Sequence, residues 1–181
     1  MAIGVCYAAL RAEIAHRGRS LDAWRGDHLL ARQYDRIALP GQRDPEPVLP
    51  DASCRIDDRQ IFVEVDRGTR PLRSWQAKVR AYEAYRGSNA KRERSGDGPF
   101  QVLIVASTLT RARRIAETIA GVTRDNAPTY LLLTEDRVHP TTIRRGWLGI
   151  DAVTWETCRV VDNVTLVPRV TLGPRALWEH P

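Results

Sequence analysis

Three carboxylates and a lysine fall close together in this 181-residue chain. Asp51 follows Pro50. Glu64 and Asp66 lie in Ile61-Phe62-Val63-Glu64-Val65-Asp66-Arg67-Gly68-Thr69, and Lys78 lies in the run beyond. Oxygen-only ligands of this kind suit Mg²⁺ or Mn²⁺, which keep several waters and accept phosphate oxygens. Such an ion polarises a scissile phosphate and lowers the pKa of an attacking water. Lys78 can then stabilise the charge building on phosphorus or orient the water. The chemistry is phosphodiester cleavage.

Two strands must position these groups. Asp51 to Ile56 and Ile61 to Asp66 read as a hairpin joined by Asp57-Asp58-Arg59-Gln60. Alternation puts Phe62, Glu64 and Asp66 on one face, with Ile61, Val63 and Val65 on the other. The hairpin brings Asp51 beside the acidic face. Two carboxylates on so apolar a strand need cations, a metal or solvent. The plain alternative is pairing with Arg67, Arg70 and Arg73, leaving Lys78 on the surface.

A helix from Leu72 to Arg86 carries Lys78, with Pro71 at its first turn and Thr69 as N-cap. Leu72, Trp75 and Val79 share its core face, and Gln76 points outward. Ile3 to Arg17 is helical and stops at Gly18. Leu21 to Leu30, with Trp24 and Asp27, is extended or turn-rich. Leu39 to Pro50 holds four prolines and a glycine, the composition of a loop. Gly87 to Pro99, with Lys91, Arg92 and Arg94, also reads as a loop. Phe100 to Ala106 is an apolar run suited to a strand buried on both faces. Arg111 to Ala120 is helical and Tyr130 to Leu133 is a further strand. Alternating elements after a hairpin predict a mixed β-sheet flanked by helices, an α/β class. Trp147, Trp155 and Trp178 are expected to anchor the less periodic region after Glu135.

The length suits one domain with a sizeable core. No apolar run approaches a membrane span, and Arg11 and Glu13 interrupt the first apolar stretch, so no signal peptide or membrane association is expected. Cys6, Cys54 and Cys158 are widely spaced, which suits reduced, buried thiols and a cytoplasmic location. The net charge is +6, supplied by 26 arginines and two lysines. Arginine's planar fork suits phosphate, although codon usage in a GC-rich genome produces the same excess. The Arg111-Arg113-Arg114 and Arg144-Arg145 clusters can track a DNA backbone or be solvated faces. His16, His28, His139 and His180 lack zinc spacing, and no GxSxG, Walker or GxGxxG motif is present.

Pro50-Asp51-Ala52, then Glu64-Val65-Asp66-Arg67-Gly68-Thr69, then Lys78 with Tyr82 resemble the replication-relaxation family of plasmids and mobile elements. Trp24 with Asp27 resembles that family's tryptophan-plus-acid pattern. The resemblance covers Ile3 to Leu133 and is sharpest over Leu49 to Tyr85. The family is similar in turn to the PD-(D/E)xK nucleases, with a restriction-endonuclease-like core of helix, three strands, helix, strand. The resemblance implies a core over residues 3–134, a C-terminal extension over 135–181, Asp51 and Glu64 as metal ligands, and Asp27 as a third acid. It also implies Lys78 as the catalytic lysine, moved from strand to helix. Two departures stand out. Asp66 occupies the position where the superfamily pattern expects lysine. The chain also begins at the nuclease-like part, so DNA targeting is expected from a partner protein or from its own basic surface.

The expected function is Mg²⁺- or Mn²⁺-dependent DNA hydrolysis by Asp51, Glu64 and Lys78, with Asp27 and Asp66 assisting. Arg67, Arg70, Arg73, Tyr82, Lys91 and Arg92 are the expected DNA contacts, and a homodimer would allow both strands to be cut. The alternative is a catalytically silent DNA-binding or assembly module of the same fold, favoured by Asp66. A structural protein with an arginine-paired acid cluster is a third reading.

Overall fold

The structure, a computed structural model, describes residues 3–16, 20–56, 59–98, 100–123, 129–138, 160–161 and 164–166. Its centre is β6 (Phe100–Ala106), in which every residue is buried. A strand apolar at every position but Gln101 and buried throughout requires cover on both faces. Helix α1 (Ile3–His16) covers one face, packing Cys6, Leu10 and Ile14 on Ile61, Val63 and Leu103. Helices α3 (Leu72–Arg86) and α5 (Leu109–Ala120) cover the other, packing Trp75, Val79 and Ile115 with Phe62, Val102 and Ile104. Cys6 and Cys54 are buried thiols outside any disulfide, each pushed up to about 12 by burial.

The sheet is mixed. Strands β1 (Leu21–Gly26), β4 (Ala52–Ile56) and β5 (Arg59–Asp66) pair antiparallel. Strands β5, β6 and β7 (Thr129–Thr134) then run parallel. Strand β9 (Val164–Leu166) extends the parallel part beyond β7, and β8 (Val160–Val161) closes that edge antiparallel. The observed order α1, three antiparallel strands, α3, β6 is the expected core of helix, three strands, helix, strand.

Several local expectations change. Leu21 to Leu30 becomes β1 followed by the short helix α2 (Asp27–Leu30). The proline-rich loop contains β3 (Glu46–Val48), paired with β2 (Asp35–Ile37) in a separate two-stranded sheet. Proline is tolerated there because each strand is an edge. The charged loop contains α4 (Asn89–Ser95), started by Ser88, whose hydroxyl accepts from the Lys91 N–H at 3.1 Å. Thr69 is not the cap of α3; Pro71 holds that position and offers no side-chain acceptor. Gly18, Asp57, Asp58, Trp147, Trp155 and Trp178 lie outside the described residues.

Candidate active site

The hairpin register pairs Ala52 with Val63, so Asp51, one residue earlier, stands across from Glu64. Asp51 Oδ2 accepts the Val65 N–H at 2.7 Å, which ties the Pro50-Asp51 turn to the end of β5. Phe62, Glu64 and Asp66 face α3, while Ile61, Val63 and Val65 face α1. Strand alternation therefore delivered both acids to the face covered by α3 and α5.

Helix α3 answers with three polar groups at helical spacing. Trp75, Lys78 and Tyr82 are three and four residues apart, which puts them on one stripe. Lys78 Nζ lies 2.5 Å from Glu64 Oε2, and the Tyr82 hydroxyl donates to Glu64 Oε1. Trp75 Nε1 donates to Asp66 Oδ2 at 2.5 Å. Glu64 is only 1% exposed. Burial pushes its carboxyl above the ordinary range; the Lys78 cation opposes that rise and the Asp51 charge adds to it. Tyr82 is also raised well above a normal phenol, by burial and then by Glu64. Its hydroxyl stays a donor.

Asp66 is held differently. Arg111 Nε and a terminal guanidinium nitrogen each lie 2.9 Å from its two oxygens, a bidentate pair. The same terminal nitrogen reaches the Arg70 carbonyl at 2.5 Å. The Gly68 N–H donates to Asp66 Oδ1 at 2.7 Å. Burial raises the Asp66 pKa, but hydrogen bonds from Arg111, Trp75 and Gly68 outweigh it, and the net shift is downward. Gly68 has φ +79, and a Cβ there would meet Ser107 Oγ at 3.0 Å, so the turn after Asp66 requires glycine.

Asp51 also lines an open cavity of about 380 Å³ with Asp27, Arg67 and Arg70. Asp27 begins α2, is 76% exposed, and accepts the His28 N–H at 2.7 Å. Among the described residues no three His, Cys, Asp or Glu side chains gather as a metal cage. The other Asp51 oxygen accepts no hydrogen bond from a described residue, and Asp51 faces Glu64 across the hairpin. That donor chemistry fits a hard divalent ion held by one or two carboxylates and completed by water and phosphate oxygens.

The expected DNA contacts divide. Arg67 and Arg70 are exposed at the cavity, Arg73 is exposed on the first turn of α3, and Arg92 is exposed on α4 beside Asn89. Lys91 is 4% exposed, and its ammonium donates to the Gly96 and Gly98 carbonyls, closing the end of α4. Tyr82 is buried on Glu64 and stacked with Phe62 at 5.6 Å. Neither Lys91 nor Tyr82 presents a surface to DNA. The sequence reading missed Trp75 and Arg111 as partners of Asp66. Parallel pairing of Asp66 with Ala106 brings the start of α5 over Asp66, and a hairpin argument does not reveal that pairing.

The replication-relaxation family model matches residues 3–101, more than half of the chain and the whole of this site except Arg111. The chain belongs to the replication-relaxation family. No curated protein matches it. Among solved structures, this family member is similar to the small subunit of the heterodimeric restriction endonuclease R.BspD6I. Identity is 14% and the TM-score 0.36, over 72% of this chain; the chain spans 63% of that subunit. No helix among the described residues is long and apolar enough to cross a membrane.

Proposed function

We propose that this chain is a DNA phosphodiesterase of a plasmid or mobile-element system, acting in the cytoplasm. One observation carries the reading. Lys78 comes from a separate element, yet its ammonium sits 2.5 Å from Glu64 with Asp51 across the hairpin. Mg²⁺ or Mn²⁺ held by Asp51 and Glu64, with Asp27 from the wall of the same cavity, would supply Lewis-acid polarisation of the phosphate. Lys78 neutralises Glu64 at rest and offers a proton donor to the phosphoryl oxygens, whose charge grows in the transition state. Tyr82 fixes the Glu64 carboxylate. Arg67, Arg70, Arg73 and Arg92 hold the DNA backbone, a role that gives salt-dependent and sequence-tolerant binding. A second copy of the chain, or a separate DNA-targeting protein, would complete double-strand cleavage. Asp66 is assigned to holding Arg111 and the turn at Gly68, and not to chemistry.

A second reading has its own observation. The position where lysine is expected is Asp66, sealed by Arg111 and Trp75, while both Glu64 oxygens are engaged. A silent DNA-binding or assembly module would look like this. Plasmid nicking in Mn²⁺ separates the two readings. Nicking by wild type that vanishes in Glu64→Gln and Asp51→Asn supports the enzyme. Binding of DNA by wild type without nicking leaves the module.

A further inference from the structure

A second cavity, of about 190 Å³, opens on the sheet face that carries Glu64. Ser53 and Phe62, paired across β4 and β5, form part of its lining, and Tyr85 and Arg94 line it from the helices. Consecutive residues divide the two cavities: Pro50 lines this one and Asp51 the other.

Three observations point to an anionic ligand. Arg25 and Arg55 line the cavity and neither guanidinium makes a hydrogen bond or ion pair to a described residue, whereas Arg94 is spent on Asp35 at 2.7 Å. Ser53 is only 6% exposed, lines the cavity, and its hydroxyl likewise has no partner among the described residues. The third observation is how Arg25 arrives there. The β1–β4 register jumps from Asp22–Arg55 to Arg25–Ser53, so Ala23 and Trp24 together face the single residue Cys54. This bulge carries Ala23 in the left-handed region at φ 51, a conformation that costs a non-glycine residue about 1–2 kcal/mol. Its consequence is that Arg25, and not Trp24, stands opposite Ser53, while Trp24 turns to Tyr7 on α1 at 4.9 Å.

Two guanidinium groups without a partner among the described residues, over a buried hydroxyl, suit a phosphate, and Tyr34 in the same lining offers aromatic surface to a base. The volume is below the roughly 300 Å³ where drug-sized pockets begin, so the open cavity takes at most one nucleotide unit, seated partly outside it. Along β4, Asp51, Ser53 and Arg55 alternate at about 6.6–6.8 Å per pair of residues, which is the length scale of one nucleotide step.

We propose that the cavity bounded by Arg25, Ser53, Arg55 and Phe62 is a nucleotide subsite that takes one phosphate and its base beside the Asp51–Glu64 centre. Its placement rests on the DNA-cleaving reading; the binding itself does not. The test uses the full chain and an Arg25→Gln/Arg55→Gln double variant, both exposed positions outside the catalytic set, with thermal melting as the folding control. Anisotropy of a fluorescent single-stranded oligonucleotide is read across salt, beside the thermal shift given by a 5′-mononucleotide.

The expected result is at least tenfold weaker oligonucleotide binding and a salt slope smaller by about 0.7, from the one phosphate no longer neutralised on a single strand. Ser53→Val should weaken binding with no change in slope. If only the mononucleotide shift is lost, the subsite takes a free nucleotide and its place beside the acid centre is overturned. Unchanged affinity, slope and thermal shift overturn the subsite altogether. Nicking is scored separately. Nicking with an unaltered double variant removes the subsite and keeps the enzyme; lost binding in a protein that never nicks does the reverse.

Discussion

Glu64 and Asp66 are neighbours on one face of one strand and both are nearly closed to solvent, Glu64 lying the deeper, and their carboxyls are displaced in opposite directions. Glu64 meets an ammonium and a phenol, and burial prevails. Asp66 meets a guanidinium fork, an indole and a backbone N–H, and the hydrogen bonds prevail. Burial alone therefore does not mark a reactive acid. What distinguishes the two is the depth of Glu64 together with how many of each carboxylate's lone pairs are filled, and by how rigid a donor. A compact ammonium on a flexible stem can leave; a bidentate guanidinium fixed at two further points cannot leave at little cost.

The largest effect should come from breaking the rigid side. Asp66→Ala leaves Arg111 with 13% side-chain exposure and no carboxylate. Removing one partner of a buried pair costs about 3–5 kcal/mol, which is a large share of a typical domain's stability. Urea unfolding should show that loss, with cleavage falling only as the folded fraction falls. A stable Asp66→Ala protein that has lost nicking would instead put Asp66 in the chemistry and reverse the assignment.

Lys78→Met probes the other side and should do the opposite. Glu64 can take up a proton when its cation is removed, so stability should drop by only about 1–3 kcal/mol. Nicking should fall by about 10²–10³-fold, the usual loss when a positioned charge-stabilising donor is removed. Equal stability losses in Lys78→Met and Asp66→Ala would erase the distinction between the two acids.

Their pH dependences should also oppose. Asp66 is depressed below its reference of 3.8, so its stabilising contribution is present above that value and is lost as pH falls through the lower folded pKa. Glu64 is raised above its reference of 4.5. Its contribution is therefore full below 4.5 and is lost as pH climbs through the folded value. Subtracting the pH–stability curve of Asp66→Asn from wild type should give a difference that grows with pH from the acid end. The same subtraction with Glu64→Gln should give one that shrinks.

How much of this was legible depended on distance along the chain. Helix α3 was read at its true bounds because an apolar stripe at Leu72, Trp75 and Val79 is a local pattern closed by Pro71 and Gly87. The facing of Glu64 and Asp66 was legible because strand alternation is rigid. Convergence of Lys78 on Glu64 came from resemblance, since nothing local fixes how α3 crosses β5. Arg111 was read as part of a solvated or DNA-tracking cluster, because its role arises only when β5 and β6 pair parallel. Helix α4 was missed for another reason: its polar sequence has no apolar stripe, and its lysine is buried by folding back on its own C-terminal carbonyls. The cavity beside Arg25 was invisible because a bulge, which leaves no clear trace in composition, decides which side chain faces inward.

The most discriminating comparison is the smallest chemical change, one lost hydrogen bond on each acid. Tyr82→Phe removes one donor from Glu64, and Trp75→Phe removes one from Asp66. Each bond to a carboxylate is worth about 1.5–3 kcal/mol when that group is ionised. Asp66 remains ionised by Arg111, so Trp75→Phe should cost the upper part of that range, together with a packing loss from the smaller ring. Glu64 can protonate and become a donor itself, so Tyr82→Phe should cost the lower part and raise the Glu64 pKa further. The pH at which nicking begins should therefore move up in Tyr82→Phe and stay in place in Trp75→Phe. If the nicking profile shifts equally in both, the two carboxylates titrate as one coupled group and the division between a poised acid and a locked one fails.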